Sequence, residues 1–185
     1  MFKKKFWTRL KSKRELIFES PFLKSLSRLE RYEFLSLSHH RRYKSGEFVY
    51  HQGDPATGLY LIEKGNVELV HFPAPDKDPL VLTQLSSPDC FGAFSIDYMV
   101  RRKASARCIS DTSLYGFFLS DYQTLSKRHP RAALRFIETL NTITIQHYDL
   151  VQSRFAEGSL QMEECILFSE TYDLPDGESV KEKIS

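Results

Sequence analysis

The sequence lacks any long apolar run. No stretch approaches the roughly 20 consecutive apolar residues that a transmembrane helix requires. The N-terminus is basic, but it has none of the uninterrupted apolar stretch that marks a secretory signal peptide. The sequence therefore offers no pattern for insertion into a bilayer or for export.

Cysteine is scarce as well. Cys90, Cys108 and Cys165 are scattered without any CxxC spacing, and any disulfide scheme would leave one of them unpaired. This usage argues against a zinc or iron–sulfur site and is typical of a reducing compartment. We therefore predict a cytoplasmic protein with no metal site.

An excess of charge of one sign is also missing. The chain has 185 residues with 26 Lys and Arg against 24 Asp and Glu, a formal net charge of +2. Such a balance demands neither nucleic acid nor a membrane as partner. The charge is nevertheless uneven, because the first residues are basic and the last are acidic. The length is suited to one domain with a full hydrophobic core.

Glycine is concentrated in the middle of the chain, and its distribution divides the sequence. The predicted organisation is a basic N-terminal segment at 1–19, one domain at 20–157 and an acidic C-terminal tail at 158–185. Within the domain, helical patterns reach to about 40, and glycine-punctuated short strands at about 43–120 predict an all-β barrel or sandwich. A long helix is expected at about 130–157, from Pro130 until Gly158.

Local patterns sharpen these expectations. Ser20-Pro21 predicts a helix start, and Ser120 with Gln123 predicts a capping box. Residues 67–71 alternate as a half-buried strand would. The segment "SLQMEECILF" predicts one more short helix before a loose polar end. The long helix carries one apolar stripe, formed by Ile137, Leu140, Thr144, Tyr148, Val151 and Phe155.

The loop at 89–107, "DCFGAFSIDYMVRRKASAR", has the composition of a phosphate site. Gly92 could open a short helical turn whose backbone N–H groups face an anion. Arg101 or Arg102 could then grip the phosphate in a bidentate way. The competing interpretation is an ordinary loop with solvated arginines.

Three segments in order resemble the cyclic nucleotide-binding domain family, and the resemblance covers about residues 20–155. They are "YKSGEFVYHQGDPATGLYLIEKGNVEL", "LTQLSSPDCFGAFSI" and "RRKASARC". Their glycines and the Arg-x-Ala-Ser segment stand at fitting distances. The resemblance implies a mainly β fold with flanking helices, in which N-terminal helices and a long C-terminal helix surround a double-stranded β-helix (jelly-roll) barrel.

The resemblance also implies a ligand-binding site for cAMP or cGMP. The family's cassette reads Phe-Gly-Glu, and Ala93 stands here in place of the glutamate that accepts the ribose 2′-hydroxyl. One lost charge-assisted hydrogen bond of about 1.5–3 kcal/mol would lower affinity by one to two powers of ten. The implied ligand-binding residues are Gly92, Ala93, Phe94, Ser95, Arg102, Lys103 and Ala104, with Leu82 and Thr83 beside the base.

Two further groups could complete such a site. Asp97 could replace the missing carboxylate, although a solvated loop acid is the simpler interpretation. The long helix could cover the base through Thr144, His147 or Tyr148, or these side chains could be ordinary packing.

Enzyme activity is not predicted. Cupin enzymes use a similar barrel, but their metal sites need close histidine pairs and a carboxylate on strands. Here His51 and His71 stand alone, and His39 and His40 are placed on the incoming helix. The sequence shows no nucleophile–base arrangement.

The sequence is compatible with several kinds of partner. The stripe of the long helix could pair with its twofold mate, which predicts a homodimer, or it could pack on its own barrel. The acidic tail opposes a phosphate backbone, so direct DNA binding is not expected, and the chain shows no helix-turn-helix after the long helix. Residues 2–14 have the pattern of a membrane-surface helix, or they dock on the domain.

The leading hypothesis is a stand-alone regulatory ligand-binding module. A cyclic nucleotide or related phosphate ligand would shift the long helix and alter a contact with a protein partner. The alternative is an interaction or scaffold protein that keeps the fold but does not bind cyclic nucleotide.

Overall fold

The computed structural model describes residues 20–74 and 76–172. The predicted basic segment 1–19, with its candidate membrane helix, lies outside these residues, as does the tail from 173 onward. Within the described ranges, no helix has the length and apolarity needed to cross a bilayer.

The chain forms helices at both ends of a β-rich middle. A short 3-10 helix, Pro21–Leu23, is the first element of the described residues. The strands are β1 (His39–Tyr43), β2 (Phe48–Tyr50), β3 (Gly58–Lys64), β4 (Asn66–His71), β5 (Leu80–Ser86), β6 (Cys90–Phe91), β7 (Ser105–Cys108) and β8 (Thr112–Phe118). The helices are α1 (Arg28–Leu37), α2 (Leu119–Arg128), α3 (Pro130–Ala156) and α4 (Met162–Glu170).

The strands form two four-stranded antiparallel sheets. One has the order β1-β8-β3-β6 and the other β2-β7-β4-β5. Non-consecutive strands lie side by side in both, as in a jelly roll. The predicted mainly β fold with flanking helices is thereby confirmed.

Strand β3 is buried on both faces, because helices cover one face of its sheet and the barrel interior covers the other. Leu59 and Leu61 point to the helices, whereas Tyr60 and Ile62 point into the barrel. We call the two clusters the helix-side core and the barrel core. The helix-side core includes Phe22, Leu23, Phe34, Leu59, Leu61, Tyr115, Phe117, Leu125, Phe136 and Ile143; the barrel core includes Tyr50, Tyr60, Ile62, Val67, Leu69, Leu82, Leu85, Phe91, Leu114, Ile166 and Leu167.

The barrel begins earlier than the sequence predicted. His39 and His40 were placed on a helix, but both lie in β1, where they pair with Gly116 and Tyr115. The helix α1 ends at Leu37, and acidic side chains on α2 and β3 bind the two histidines. His39 Nε2 lies 3.0 Å from a carboxylate oxygen of Asp121 on α2. His40 Nε2 lies 2.7 Å from a carboxylate oxygen of Glu63 on β3.

Helix capping also differs from the predictions. The N-cap of α1 is Ser27, whose hydroxyl accepts from the N–H of Glu30 in a capping box. The predicted cap Ser120 lies inside α2 instead. There Asp121 accepts a hydrogen bond from the N–H of Phe118 at 2.8 Å, so Asp121 takes the N3 role of the capping box that was assigned to Gln123.

Strand β4 is more buried than its alternation predicted. Val67, Leu69 and Val70 are buried, but so is Glu68, whose carboxylate pairs with Arg107 on β7 at 2.6 Å. The prediction of a half-buried strand was wrong because an ion pair allows a charged residue to leave water here.

Helix α3 starts at Pro130 as predicted and buries a different stripe. Ala133, Phe136, Ile143 and His147 face the domain, while Thr144, Tyr148 and Phe155 of the predicted stripe are exposed and its other members are half-buried. The predicted stripe is therefore offset by about one position from the face that packs.

The predicted short helix near the C-terminus is present as α4. The residues after it differ from expectation, because 169–172 are packed on the barrel and not loose. Thr171 forms a β-bridge with Phe91, and Glu170 is fully buried. This packing brings the end of α4 to the loop that the sequence singled out.

Candidate functional site

The loop after β6 has an irregular backbone. Residues 92–95 form no helical turn, so that prediction was wrong. Gly92 has a φ of +91°, and a Cβ there would lie 2.8 Å from Nη1 of Arg102 and 3.3 Å from the carbonyl oxygen of Gly58. Glycine is required both for this φ and for the close approach of the guanidinium.

Arg102 points into the barrel and is only 2% exposed. Its backbone is held by the turn after β2, since its N–H donates to the carbonyl of Asp54 and its own carbonyl accepts from Gly53. Its side chain donates through Nη2 to the carbonyl of Gly58 at 2.6 Å and through Nη1 to that of Ala93 at 3.2 Å. The turn therefore aims the guanidinium at the loop.

One donor of this guanidinium remains free. Nε of Arg102 has no hydrogen-bond partner among the described residues. The guanidinium carbon lies 4.1 Å from the centre of the Tyr50 ring, which gives the cation a favourable aromatic neighbour. A buried cation with a spare donor forms a site for an anion.

The anion present is Glu170, the last residue of α4. Its carboxylate oxygen Oε1 accepts from the N–H of Lys103 at 2.6 Å, and Oε2 accepts from the Tyr50 hydroxyl at 3.0 Å. Oε2 also lies 3.6 Å from Nη1 of Arg102. The backbone of Ala93 contributes a further hydrogen bond to this carboxyl. The donors expected to meet a phosphate thus surround a carboxylate of the same chain.

Burial dominates the titration of these groups. It raises the pKa of the Glu170 carboxyl above its ordinary value, although Arg102 and the hydrogen bonds act in the opposite direction. Burial and the neighbouring Glu170 also raise the pKa of the Tyr50 hydroxyl well above its ordinary value. Tyr50 is therefore a neutral donor at physiological pH.

The structure distinguishes the two adjacent arginines. Arg101 is exposed, and its Nη1 donates to the carbonyl of Gly53 at 2.8 Å, outside the barrel. Arg102 is the one that faces inward, as the register of the resemblance favoured.

The other predicted site residues fall into two groups. Gly92, Ala93 and the N–H of Lys103 lie at the Arg102 site, and the buried Ala104 follows them. The second group has other roles in packing or in the loop. Phe94 packs against Phe117, Tyr122 and Phe136, Ser95 accepts from the N–H of Tyr98, and Leu82 and Thr83 are buried in β5, with Leu82 in the barrel core.

Asp97 and the three candidate residues of α3 do not reach the Arg102 site. Asp97 is exposed in the loop, and Thr144 and Tyr148 are exposed on α3. His147 is buried, but its ring donates from Nδ1 to the carbonyl of Phe168 on α4 and stacks on that side chain. Helix α4, which contributes Ile166 and Leu167 to the barrel core, covers the barrel instead.

Sequence reasoning missed three participants: Glu170, Tyr50 and the carbonyl of Gly58. Glu170 follows a predicted helix, yet nothing local separates it from the other acids of the tail. Glu170 is identified only by its proximity in the fold to Lys103, which lies 67 positions earlier in the sequence. The described residues contain no group of three or more His, Cys, Asp or Glu side chains arranged to hold a metal ion.

These features define a small antiparallel barrel with a buried arginine at an anion site. Residues 40–129 match the family model of the cyclic nucleotide-binding domain, and this part of the chain belongs to that family. The predicted resemblance is confirmed.

Known proteins of similar sequence or fold include two from Thermus thermophilus and one from Methylobacillus flagellatus. The cyclic AMP receptor protein of Thermus thermophilus is 34% identical over 101 residues, which are 54% of this chain and 45% of the relative. The crystal structure of the Thermus thermophilus catabolite activator protein superposes with a TM-score of 0.61 at 28% identity, covering 74% of this chain and 63% of that chain. A cyclic nucleotide-binding domain from Methylobacillus flagellatus reaches a TM-score of 0.64 at 16% identity, over 83% of this chain and 86% of that one.

The match to the Thermus receptor spans less than half of that protein's length. The likeness therefore concerns the barrel and its neighbouring helices.

Proposed function

We propose that the domain is a regulatory module that binds a phosphate-bearing ligand of the cyclic nucleotide class at Arg102. The observation that carries this proposal is the buried guanidinium with its spare Nε donor. Backbone N–H groups of Ala93 and Lys103 converge on the same place. Such a donor set is complementary to a phosphate, which offers more oxygens than a carboxylate.

Ala93 sets the expected affinity. A methyl group cannot accept the hydrogen bond of a ribose hydroxyl, so the phosphate contacts must supply most of the binding free energy. We expect a ligand of this class to bind one to two powers of ten more weakly than it would with a carboxylate at this position.

The direct test is isothermal titration with cyclic AMP, cyclic GMP and cyclic dinucleotides, alongside thermal unfolding at millimolar ligand. A ligand that binds only the folded state raises Tm by mass action. Arg102→Lys keeps the charge but loses the forked donors, and it should abolish most of the binding. Arg101→Ala is the matched control and should bind as the unaltered protein does.

Binding by none of these ligands, in a protein that unfolds cooperatively, would contradict the proposal. A second candidate would then apply, namely an interaction or scaffold module that keeps the barrel without a nucleotide. The presence of Glu170 at the anion site favours this candidate, because the chain itself already supplies a charge partner for Arg102.

For assembly, we propose a homodimer through α3. Ile145, Tyr148 and Phe155 are 56%, 61% and 76% exposed and lie along one side of the helix. Light scattering after chromatography should report a dimer, and Tyr148→Glu should shift it toward the monomer. A protein partner of such a dimer would respond to movement of this helix.

No catalytic step is assigned to the module, since its charged groups bind and orient an anion. A cytoplasmic location is supported by the cysteines, which are free thiols in the described residues. Contact of residues 2–14 with a membrane stays a prediction, to be tested by liposome flotation with and without that segment.

A further inference from the structure

The C-terminal end of α4 makes both side-chain and backbone contacts with the anion site. The carboxylate of Glu170 accepts from Lys103 N and from the Tyr50 hydroxyl. The backbone carbonyl of Glu170 accepts a hydrogen bond from the N–H of Gly92 at 2.7 Å. Glu170 therefore engages donors on both sides of the loop, at Gly92 and at Lys103.

The next two residues extend this attachment. Thr171 bridges Phe91 as a strand residue would, and the Tyr172 hydroxyl donates to the carbonyl of Gly92 at 2.9 Å. The segment thus adds a short backbone pairing to the edge of β6. This pairing places the carboxylate at the site by register and not by a chance side-chain orientation.

Helix α4 is also fixed at its outer side, to α3. Arg154 forms an ion pair with the buried Glu164, and His147 bonds to the carbonyl of Phe168 at 3.1 Å. Ile166 and Leu167 close the barrel core. Any movement of α4 away from the anion site would therefore change contacts along the C-terminal half of α3.

The fit of the carboxylate is incomplete. The ion pair between Glu170 and Arg102 is 3.6 Å long, beyond hydrogen-bond distance, and Nε of Arg102 has no partner among the described residues. A tetrahedral phosphate could satisfy donors that the planar carboxylate leaves apart. An incoming phosphate would therefore gain contacts that the carboxylate does not make.

We propose that Glu170 is an internal ligand of the anion site, and that a phosphate-bearing ligand must displace it and release α4. This inference rests on the proposed function for its second half, the competition. The first half, the retention of α4 by Glu170, requires no external ligand. Release of α4 would pass ligand binding to α3 through Glu164 and His147.

The test uses Glu170→Gln, which keeps the size of the side chain and removes its charge. Glu163→Gln is the matched control, because Glu163 lies on the same helix and is only partly buried. Hydrogen exchange is measured first without nucleotide. We expect faster exchange at 162–172 and at the N–H groups of Gly92 and Lys103 in Glu170→Gln alone. Exchange in β4 should stay slow in every protein and so reports an intact barrel.

Titration with cyclic AMP then tests the competition. Removing a charge-assisted occupant should raise the affinity of Glu170→Gln at least about ten-fold over that of the unaltered protein. The ligand should accelerate exchange at 162–172 in the unaltered protein. Glu163→Gln should behave as the unaltered protein in both measurements.

The outcomes separate the two proposals. Unchanged exchange at 162–172 in Glu170→Gln overturns the internal ligand, whatever binds. Faster exchange with no binding of cyclic AMP, cyclic GMP or cyclic dinucleotides to either protein retains the internal ligand and overturns the proposed function. Binding with equal affinity in both proteins overturns the competition.

Discussion

The helix-side core and the barrel core share strands β3 and β8 but differ in chemistry. The helix-side core is dominated by aromatic rings, with Phe34 and Phe117 stacked at 4.1 Å and Phe136 against both. The barrel core ends at a buried cation and a buried carboxylate, Arg102 and Glu170. Apolar packing is non-directional and tolerates alternative contacts, whereas the buried charges require specific partners.

This difference predicts two kinds of sensitivity. The helix-side core should respond to lost volume, because a cavity there loses dispersion contacts and apolar burial. In the barrel core, removing both charges should cost less than the sum of the two single removals. The following variants test the contrast in order of expected effect.

Phe136→Ala should cause the largest loss. Phe136 is buried and contacts Phe22, Phe34, Phe94 and Phe117, so the free energy of unfolding should fall by about 3–5 kcal/mol. Urea denaturation measures it. The exposed Phe155 on the same helix provides Phe155→Ala as control, with a change within about 0.5 kcal/mol. Equal losses would contradict the assignment of the packed face of α3.

Arg102→Met and Glu170→Met should each cost about 3 kcal/mol, because each leaves an uncompensated buried charge. The double variant should cost less than the sum of the two, with a coupling of roughly 1–3 kcal/mol. A double-mutant cycle in urea measures this coupling. Strict additivity would mean that the two charges stabilise the barrel independently, and the contrast between the cores would fail.

Gly92→Ala should cost about 1–3 kcal/mol, since its φ of +91° is strained for alanine. Its Cβ would also press against the guanidinium of Arg102. Gly53→Ala is the matched control, with a φ of +87° and open space around the added Cβ. The excess cost at Gly92 isolates the close approach to Arg102. No excess would show that the guanidinium moves away freely.

Ala93→Glu introduces the carboxylate that the resemblance to the family implies at this position. Cyclic AMP affinity should rise about ten-fold or more, which is the reverse of the loss expected from the methyl group. Isothermal titration measures it, with Ala93→Gln as the uncharged control. A gain equal in both variants would assign the effect to size and not to the charge-assisted bond.

The smallest effect concerns pH. Glu170 faces Arg102, Tyr50 and Tyr172, and burial raises its pKa in the folded protein above the ordinary value of 4.5. The folded state then holds its proton more tightly than the unfolded state, so stability should fall as pH rises from 4.5 through the folded pKa. Urea denaturation across this interval measures the slope. Glu170→Gln should lack this pH-dependent contribution to stability. If the free energy of unfolding changes with pH equally in both proteins, the raised pKa of Glu170 is contradicted.

Much of the fold was predictable because its patterns are local. The glycines at turns, Pro130 at the start of α3 and the short strands between them all predicted the barrel and the long helix. The errors have physical causes as well. Glu68 looked solvated because its partner Arg107 is distant in sequence, and His39 and His40 looked helical because α1 directly precedes them.

The candidate site divides in the same way. Gly92 and Arg102 stand in one loop, and their residue types alone indicated an anion site. Glu170 and Tyr50 are 78 and 42 residues from Gly92 in sequence, and no pattern in the chain connects them to it. Their roles depend on which strands and helices meet.

Local sequence patterns were enough to predict a glycine-punctuated barrel, a long helix after it and a loop with an arginine suited to a phosphate. These follow from backbone preferences and periodic burial, which act over a few residues. The tertiary structure alone decided that Arg102 points inward, that α4 covers the barrel and that Glu170 lies at the anion site. Those outcomes depend on long-range pairing, because a buried charge is stable only where the fold brings its partner within reach.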